Sequence, residues 1–468
     1  MTRTDWTKGP RLVRRAPLML ARRAPLLMLV AVGVGSCSSS NSGNVTCASA
    51  ETCTAGTFTA TGTGAPPAGG ASATLRSFPP PSTDPGAGGI LFAASGEVLA
   101  LTGYAFPPAS ANDAAFVDGW DVHFDRLLVT VDNVTLSKNP NARPGDESCT
   151  DSTVAKLSGP WAIDLSHSDP QNLPGKGGPG EEAVPIVALT AQNYPAGNSA
   201  KFDTNGTAYA FGFDTVAASA DAMNVNLDAA GLTDYAQMIA DGCAVLYVGV
   251  ATFNGTSCTC PTASSATAAC DPNIYGAGKG WPQMGDKVPF HLCFRSPTSY
   301  VNCQNPDNDP AAALPGEEHE RGIFFKSDAS VIGQITIHTD HPFWDSVLHD
   351  SPAHFDQFAA RVVGMGQNGV YPTVTLESSA GIPFTGVTDA LGNLLPWRYC
   401  IAPPTDVHDQ LVGPMAFDAQ SVPQRGAGTD SCRGLQDYYT FSTYNQSTQG
   451  HLNSDGLCYV ARHYPSPQ

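Results

Sequence analysis

Apolar and polar positions alternate with period two over most of the chain, the pattern of strands with one buried face. In "WDVHFDRLLVTVDNVTLS" Trp120, Val122 and Phe124 fall on one face, before a more continuous apolar run. "TAYAFGFDTVAA", "AVLYVGVATF", "VPFHLCFRS" and "VIGQITIH" repeat the pattern, separated by Gly, Pro, Asn and Asp. Helical spacing is rare. It is found in "LTDYAQMIADG", residues 232–242, closed by Gly242, and in a His- and Asp-rich segment, residues 334–361. Many strands, few helices and abundant turn residues predict a mainly β protein, a β-sandwich-like domain with a few short helices. A β-barrel is the alternative.

The first 88 residues do not fit that pattern. Arg3, Lys8, Arg11, Arg14, Arg15, Arg22 and Arg23 precede the apolar run "APLLMLVAVGVG", and small residues follow it. This is the layout of a secretory signal, too short to stay as a spanning helix. Residues 38–88 are Ser, Thr, Gly, Ala and Pro with hardly any charge, and read as a flexible linker. Extended at about 3 Å per residue, it would reach roughly 100 Å or more. The remainder divides into residues 89–310, the β-sandwich-like domain, and 311–468, which completes it or forms a second domain.

Export changes the reading of the thirteen cysteines. Without Cys37, an even number remains, which in an exported chain implies disulfides. Cys47 and Cys53 are spaced to close a small loop, and Cys258, Cys260 and Cys270 to staple a Ser/Thr/Ala-rich insert. The formal charge is −18 although the leader is basic. An acidic surface without basic runs excludes nucleic acid as a partner and favours cations.

The candidate chemistry lies in residues 334–361, which hold four of the eleven histidines. Along "VIGQITIH", Val331, Gly333, Ile335 and Ile337 share one face, while Gln334, Thr336, His338 and Asp340 share the other. Pro342 fits the first turn of a short helix with Asp340 or His341 near its cap. Asp345 and His349, four apart on that helix, would let a carboxylate orient an imidazole. Ser351 and Pro352 read as the start of a second helix, with Phe355, Phe358, Ala359 and Val362 buried and His354 in its first turn. Four imidazoles at successive junctions suit copper or zinc. The expected ligands are therefore His338, His341, His349 and His354, with Asp340 and Asp345 behind them. The competing reading has these histidines capping helices and pairing with Asp345, Asp350 and Asp356. Weaker candidates are "GEEHER" around His319, and Asp307 with Asp309 as calcium ligands. There is no GxSxG elbow, P-loop, GxGxxG after a strand, or HExxH.

Four resemblances add expectations. "VGSC", ending at Cys37, resembles the lipobox of bacterial lipoproteins. It implies lipidation of Cys37, attachment through a lipid anchor, and location at the outer membrane or cell surface. The phrases "FVDGWDVHFDRLLVTVDNVTLS", "HTDHPFWDSVLHDSPAHFD" and "TYNQSTQGHLNSDGLCYV" resemble large uncharacterised bacterial lipoproteins, which bring no known activity. "TIHTDH" resembles the HxHxDH motif of metallo-β-lactamase-fold hydrolases at His338, Asp340 and His341, with Thr336 where the first histidine would stand. A likeness to the copper-binding partner protein of methanobactin systems concerns architecture and context only and carries no ligand across. The expectation is an exported, lipid-anchored metal-binding protein. A metal-dependent hydrolase and a surface scaffold or adhesion module are the alternatives.

Overall fold

The structure is a computed structural model. It describes residues 46–48, 72–110, 113–141, 147–190, 202–255, 281–308, 319–345, 352–383, 387–392 and 437–463, with single positions 395, 398, 400, 401 and 435. The described residues are mainly β. Trp120–Lys138 is the central strand of a twelve-stranded sheet. Its first half alternates as the sequence predicts: Trp120, Val122 and Phe124 are buried, whereas His123 and Asp125 are exposed. Val245–Phe253 and Ala208–Thr215 pair with it, both antiparallel. Outward on one side lie Lys287–Phe294 and Val374–Thr375; on the other lie Thr298–Val301 and Tyr459–Arg462. The ladder with Val245–Phe253 slips at Val248/Gly249. A Cβ on Gly249 would stand 2.0 Å from the His123 carbonyl oxygen, so only glycine fits there.

A second sheet of six strands runs Gly456–Leu457, His451–Leu452, Val331–Thr336, Ile90–Ser95, Glu182–Leu189 and Leu173–Pro174. Every residue of Ile90–Ser95 is buried, which explains its unbroken apolar character. Phe92 of that strand stacks on Phe211 of the large sheet at 5.7 Å, so the two sheets share one core. The arrangement is β-sandwich-like.

Helices are few and short. Ala229–Asp241 begins at Asp228, whose side chain accepts the Gly231 N–H, and stops at Gly242 in the left-handed region. Tyr438–Gln446 opens the last stretch with a reciprocal cap between Asp437 and Thr440. Segment 334–361 departs further from its reading. Where the first helix was expected to start there is a 3-10 turn, His341–Phe343, with Trp344 extended after it. Ala353 then forms bridges to both Phe116 and Trp344, so the chain is extended where a second helix was expected to start. Helix begins only at Asp356, as Asp356–Ala359 followed by the 3-10 turn Ala360–Val362. Isolated turns this short are marginal in water. Burial of Phe343, Phe355 and Phe358 fixes them instead, each side chain contributing about 1.5–3 kcal/mol.

Three disulfides join described residues: Cys47–Cys149, Cys243–Cys293 and Cys303–Cys458. Cys400 is also disulfide-bonded. Cys47 therefore pairs far along the chain and not with Cys53. Thr46–Cys47 forms a two-residue ladder with Cys149–Thr150, and Arg76–Ser77 pairs with Met223–Asn224. Both pieces belong to the stretch read as a linker. Cys37, Cys258, Cys260 and Cys270 lie outside the described residues.

Candidate metal centre

The candidate centre is built where three strands of the smaller sheet end. Ile90–Ser95 and Val331–Thr336 run parallel with Ser95 opposite Thr336. On the other side His451–Leu452 runs antiparallel, with His451 opposite Thr336. Directly opposed side chains share a face, as do residues two apart on one strand. Register therefore brings Thr336, His338 and His451 to one side. The chain stays extended past Thr336, since the Ile337 N–H donates to the Ser95 carbonyl. The His338 carbonyl accepts hydrogen bonds from Tyr247 Oη and Gln449 Nε2, at 3.2 and 2.8 Å. Thr339 Oγ1 and Tyr104 Oη are hydrogen-bonded at 2.6 Å. The following 3-10 turn then returns His341 toward His338.

His338, His341 and His451 each offer a nitrogen such that all three lie within 4.8 Å of one another. A tetrahedral ion with metal–nitrogen bonds of about 2.0–2.1 Å spaces its ligands about 3.4 Å apart. The rings are already adjacent, with centroids 4.9 Å apart for His338–His341 and 4.3 Å for His338–His451. His341 and His451 are fully enclosed and His338 nearly so. The outer contacts of two rings are defined: His338 Nδ1 lies 3.2 Å from Glu97 Oε2, and His341 Nδ1 lies 2.8 Å from Thr448 Oγ1. The face of His341 lies against Trp344, centroid to centroid 3.8 Å.

Burial disfavours the charged form of His338. The field of Glu97 and its hydrogen bond overcome that, aided by Asp340 and Asp455, and hold the imidazole up to about 9. Burial pushes the Asp340 carboxyl up, and the neighbouring His338 partly offsets it. A metal ion would thus compete with a proton on His338, and the surrounding carboxylates favour either cation. Below the histidines the strand's polar side is buried. Gln334 and Thr336 are fully buried and hydrogen-bonded to each other. Gln334 also donates to Glu181 and accepts from the Lys176 N–H, while Thr336 donates to the Asn453 carbonyl. This closed network gives the strand end a rigid floor.

Two of the four histidines expected as ligands, His338 and His341, meet, and His354 does not join them. His354 lies away from the cluster, fully buried, its Nδ1 3.9 Å from Asp345 Oδ2. Burial, with the nearby Arg398 charge, drives it down to about 3 against the pull of backbone hydrogen bonds at Arg398 and Pro352. Asp345 stands beside His354, just past the 3-10 turn that ends at Phe343. His349 lies outside the described residues, as does Asp309. Asp340 is near the centre and acts on His338 through its field. Of the calcium candidates, Asp307 is ion-paired with Lys176 Nζ at 2.8 Å. A second grouping of donors, Asp241 with Cys243 and Cys293, offers no thiolate, because those sulfurs are bonded to each other.

His451 and Glu97 were not identified from the sequence. "QGHLNSDG" resembles any polar turn, and Glu97 resembles an ordinary acidic residue in a helix's first turn. No family model matches the chain, and no curated protein or solved structure matches it either.

Proposed function

We propose that this protein binds a late first-row transition-metal ion, Zn²⁺ or Cu²⁺, through His338, His341 and His451. The observation that supports this reading is the convergence of three enclosed imidazoles from two separate chain segments within 4.8 Å. Imidazole suits both ions, and a carboxylate or hydroxyl behind each ring is the usual means of fixing such ligands. Three protein ligands leave a fourth position for water, the arrangement a metal-dependent hydrolase would need. Thr336 supplies no first histidine for that reading, since its hydroxyl is held in the buried network. Binding is the reading adopted.

Export and lipid attachment at Cys37 belong to the same proposal. The described disulfides suit an oxidising compartment, and the acidic composition suits a cation-binding role. The test is elemental mass spectrometry and Zn²⁺ and Cu²⁺ titration of the chain purified from an oxidising compartment. Wild type is expected to bind one ion per chain, and a folded His451→Ala variant to bind far more weakly. Wild type that takes up neither ion under excess overturns the proposal.

A further inference from the structure

We propose that Glu97 is the positioning residue of this centre: by accepting a hydrogen bond from the Nδ1–H of His338 it makes Nε2 the ligand atom. This rests on the metal-binding reading. Glu97 Oε2 lies 3.2 Å from His338 Nδ1, whereas His338 Nε2 is buried and makes no hydrogen bond. To bind a metal the ring gives up one proton, and the carboxylate keeps the other on the nitrogen it touches. The lone pair then belongs to Nε2. Asp340 and Asp455 also act on the ring, but only through their fields; among the described carboxylates Glu97 is the one hydrogen-bonded to it.

The backbone around Glu97 is shaped for this contact. Glu97 has φ +60°, a left-handed conformation that residues with a side chain adopt rarely and that recurs at functional sites. Two neighbours hold it there. Ser95 Oγ accepts the Glu97 N–H at 2.9 Å. Gly96 fills a position where a Cβ would stand 2.5 Å from Ala100 Cβ and 3.0 Å from Leu127 Cδ2, so the turn admits no side chain. A helix that merely wanted an acidic first turn would not need a left-handed residue to provide it. The turn follows Ile90–Ser95, and the parallel register with Val331–Thr336 sets it beside His338.

A carboxylate bonded to a ligand imidazole also adds negative charge behind the metal, which favours a divalent ion over Cu⁺. Glu97→Gln is therefore expected to lower Zn²⁺ affinity about 10- to 100-fold, with unchanged stoichiometry and a smaller loss for Cu⁺ measured anaerobically. In the Zn²⁺-loaded wild type, ¹⁵N-histidine NMR is expected to show His338 protonated at Nδ1 and metal-bound at Nε2, a readout that requires no variant. Equal Zn²⁺ affinity in wild type and Glu97→Gln, with binding lost in His451→Ala, would overturn the role of Glu97 and leave the metal centre standing. Metal on Nδ1 of His338 would do the same. Wild type that binds no Zn²⁺ or Cu²⁺ would overturn both proposals together.

Discussion

His354 is where the structure parts most clearly from a four-histidine metal site, and its environment has a measurable consequence. Its imidazole is fully buried and driven from the ordinary 6.5 down to about 3. Above pH 6.5 it is neutral in both folded and unfolded chains and stability does not depend on it. As pH falls below 6.5 the unfolded chain takes up a proton that the folded chain refuses. Stability then drops by about 1.4 kcal/mol per pH unit, until the folded pKa is reached near 3. The full loss is about 5 kcal/mol; between pH 6.5 and 4.5 it is about 2 kcal/mol, since half of the unfolded chains already carry the proton at pH 6.5. Against a typical total of about 5–15 kcal/mol this is large. The perturbation is His354→Gln, which is neutral throughout. Urea unfolding of metal-free wild type and variant at pH 6.5, 5.5 and 4.5 isolates the term, because the other titrating groups are common to both and cancel. The variant starts less stable but is expected to lose about 2 kcal/mol less across that window. Parallel curves, or an NMR titration of His354 near 6.5, would refute the neutral structural role.

Two further predictions concern the scaffold. Cys303–Cys458 spans 155 residues and ties down the hairpin that carries His451. Chain entropy assigns such a loop about 5 kcal/mol, and removals commonly cost about 2–5. Replacing both cysteines with serine is expected to lower the denaturant midpoint and to weaken Zn²⁺ binding more than replacing Cys243 and Cys293 does. Equal effects on binding would mean that the hairpin is positioned without its disulfide. Arg398 makes two hydrogen bonds to the buried Asp356 carboxylate, at 2.6 and 2.9 Å. Arg398→Met should cost about 3–5 kcal/mol by leaving that charge uncompensated, and adding Asp356→Asn, which keeps an acceptor for Trp120 Nε1, should recover part of it. If calorimetry shows the single variant as stable as wild type, Asp356 is not held as a charge.

What could be read from the sequence depends on the distance over which each feature is decided. The alternation of Trp120, Val122 and Phe124 with Asp121, His123 and Asp125 is local, and the strand it predicts is present. The two faces of "VIGQITIH" are local too, and His338 does leave on the polar side. That side proved to be a buried network, because neighbouring strands and the Glu181 loop cover it, and no periodicity encodes a cover. Ser351-Pro352 carries a sound helix-start signal, yet Ala353 bonds to Phe116 and Trp344 instead. Pairing with a distant segment outweighed a cap, and His354 went into the core with it. The centre follows the same rule. His338 and His341 sit three residues apart and their proximity could be anticipated. His451 and Glu97 reach them only because two other strands align with Thr336, one antiparallel and one parallel. Sheet register belongs to pairs of segments, so a site assembled at strand ends shows in the sequence only through the strand that carries its densest ligands. A density of histidines marks where to look; the residues that complete the site must be sought on the strands beside it.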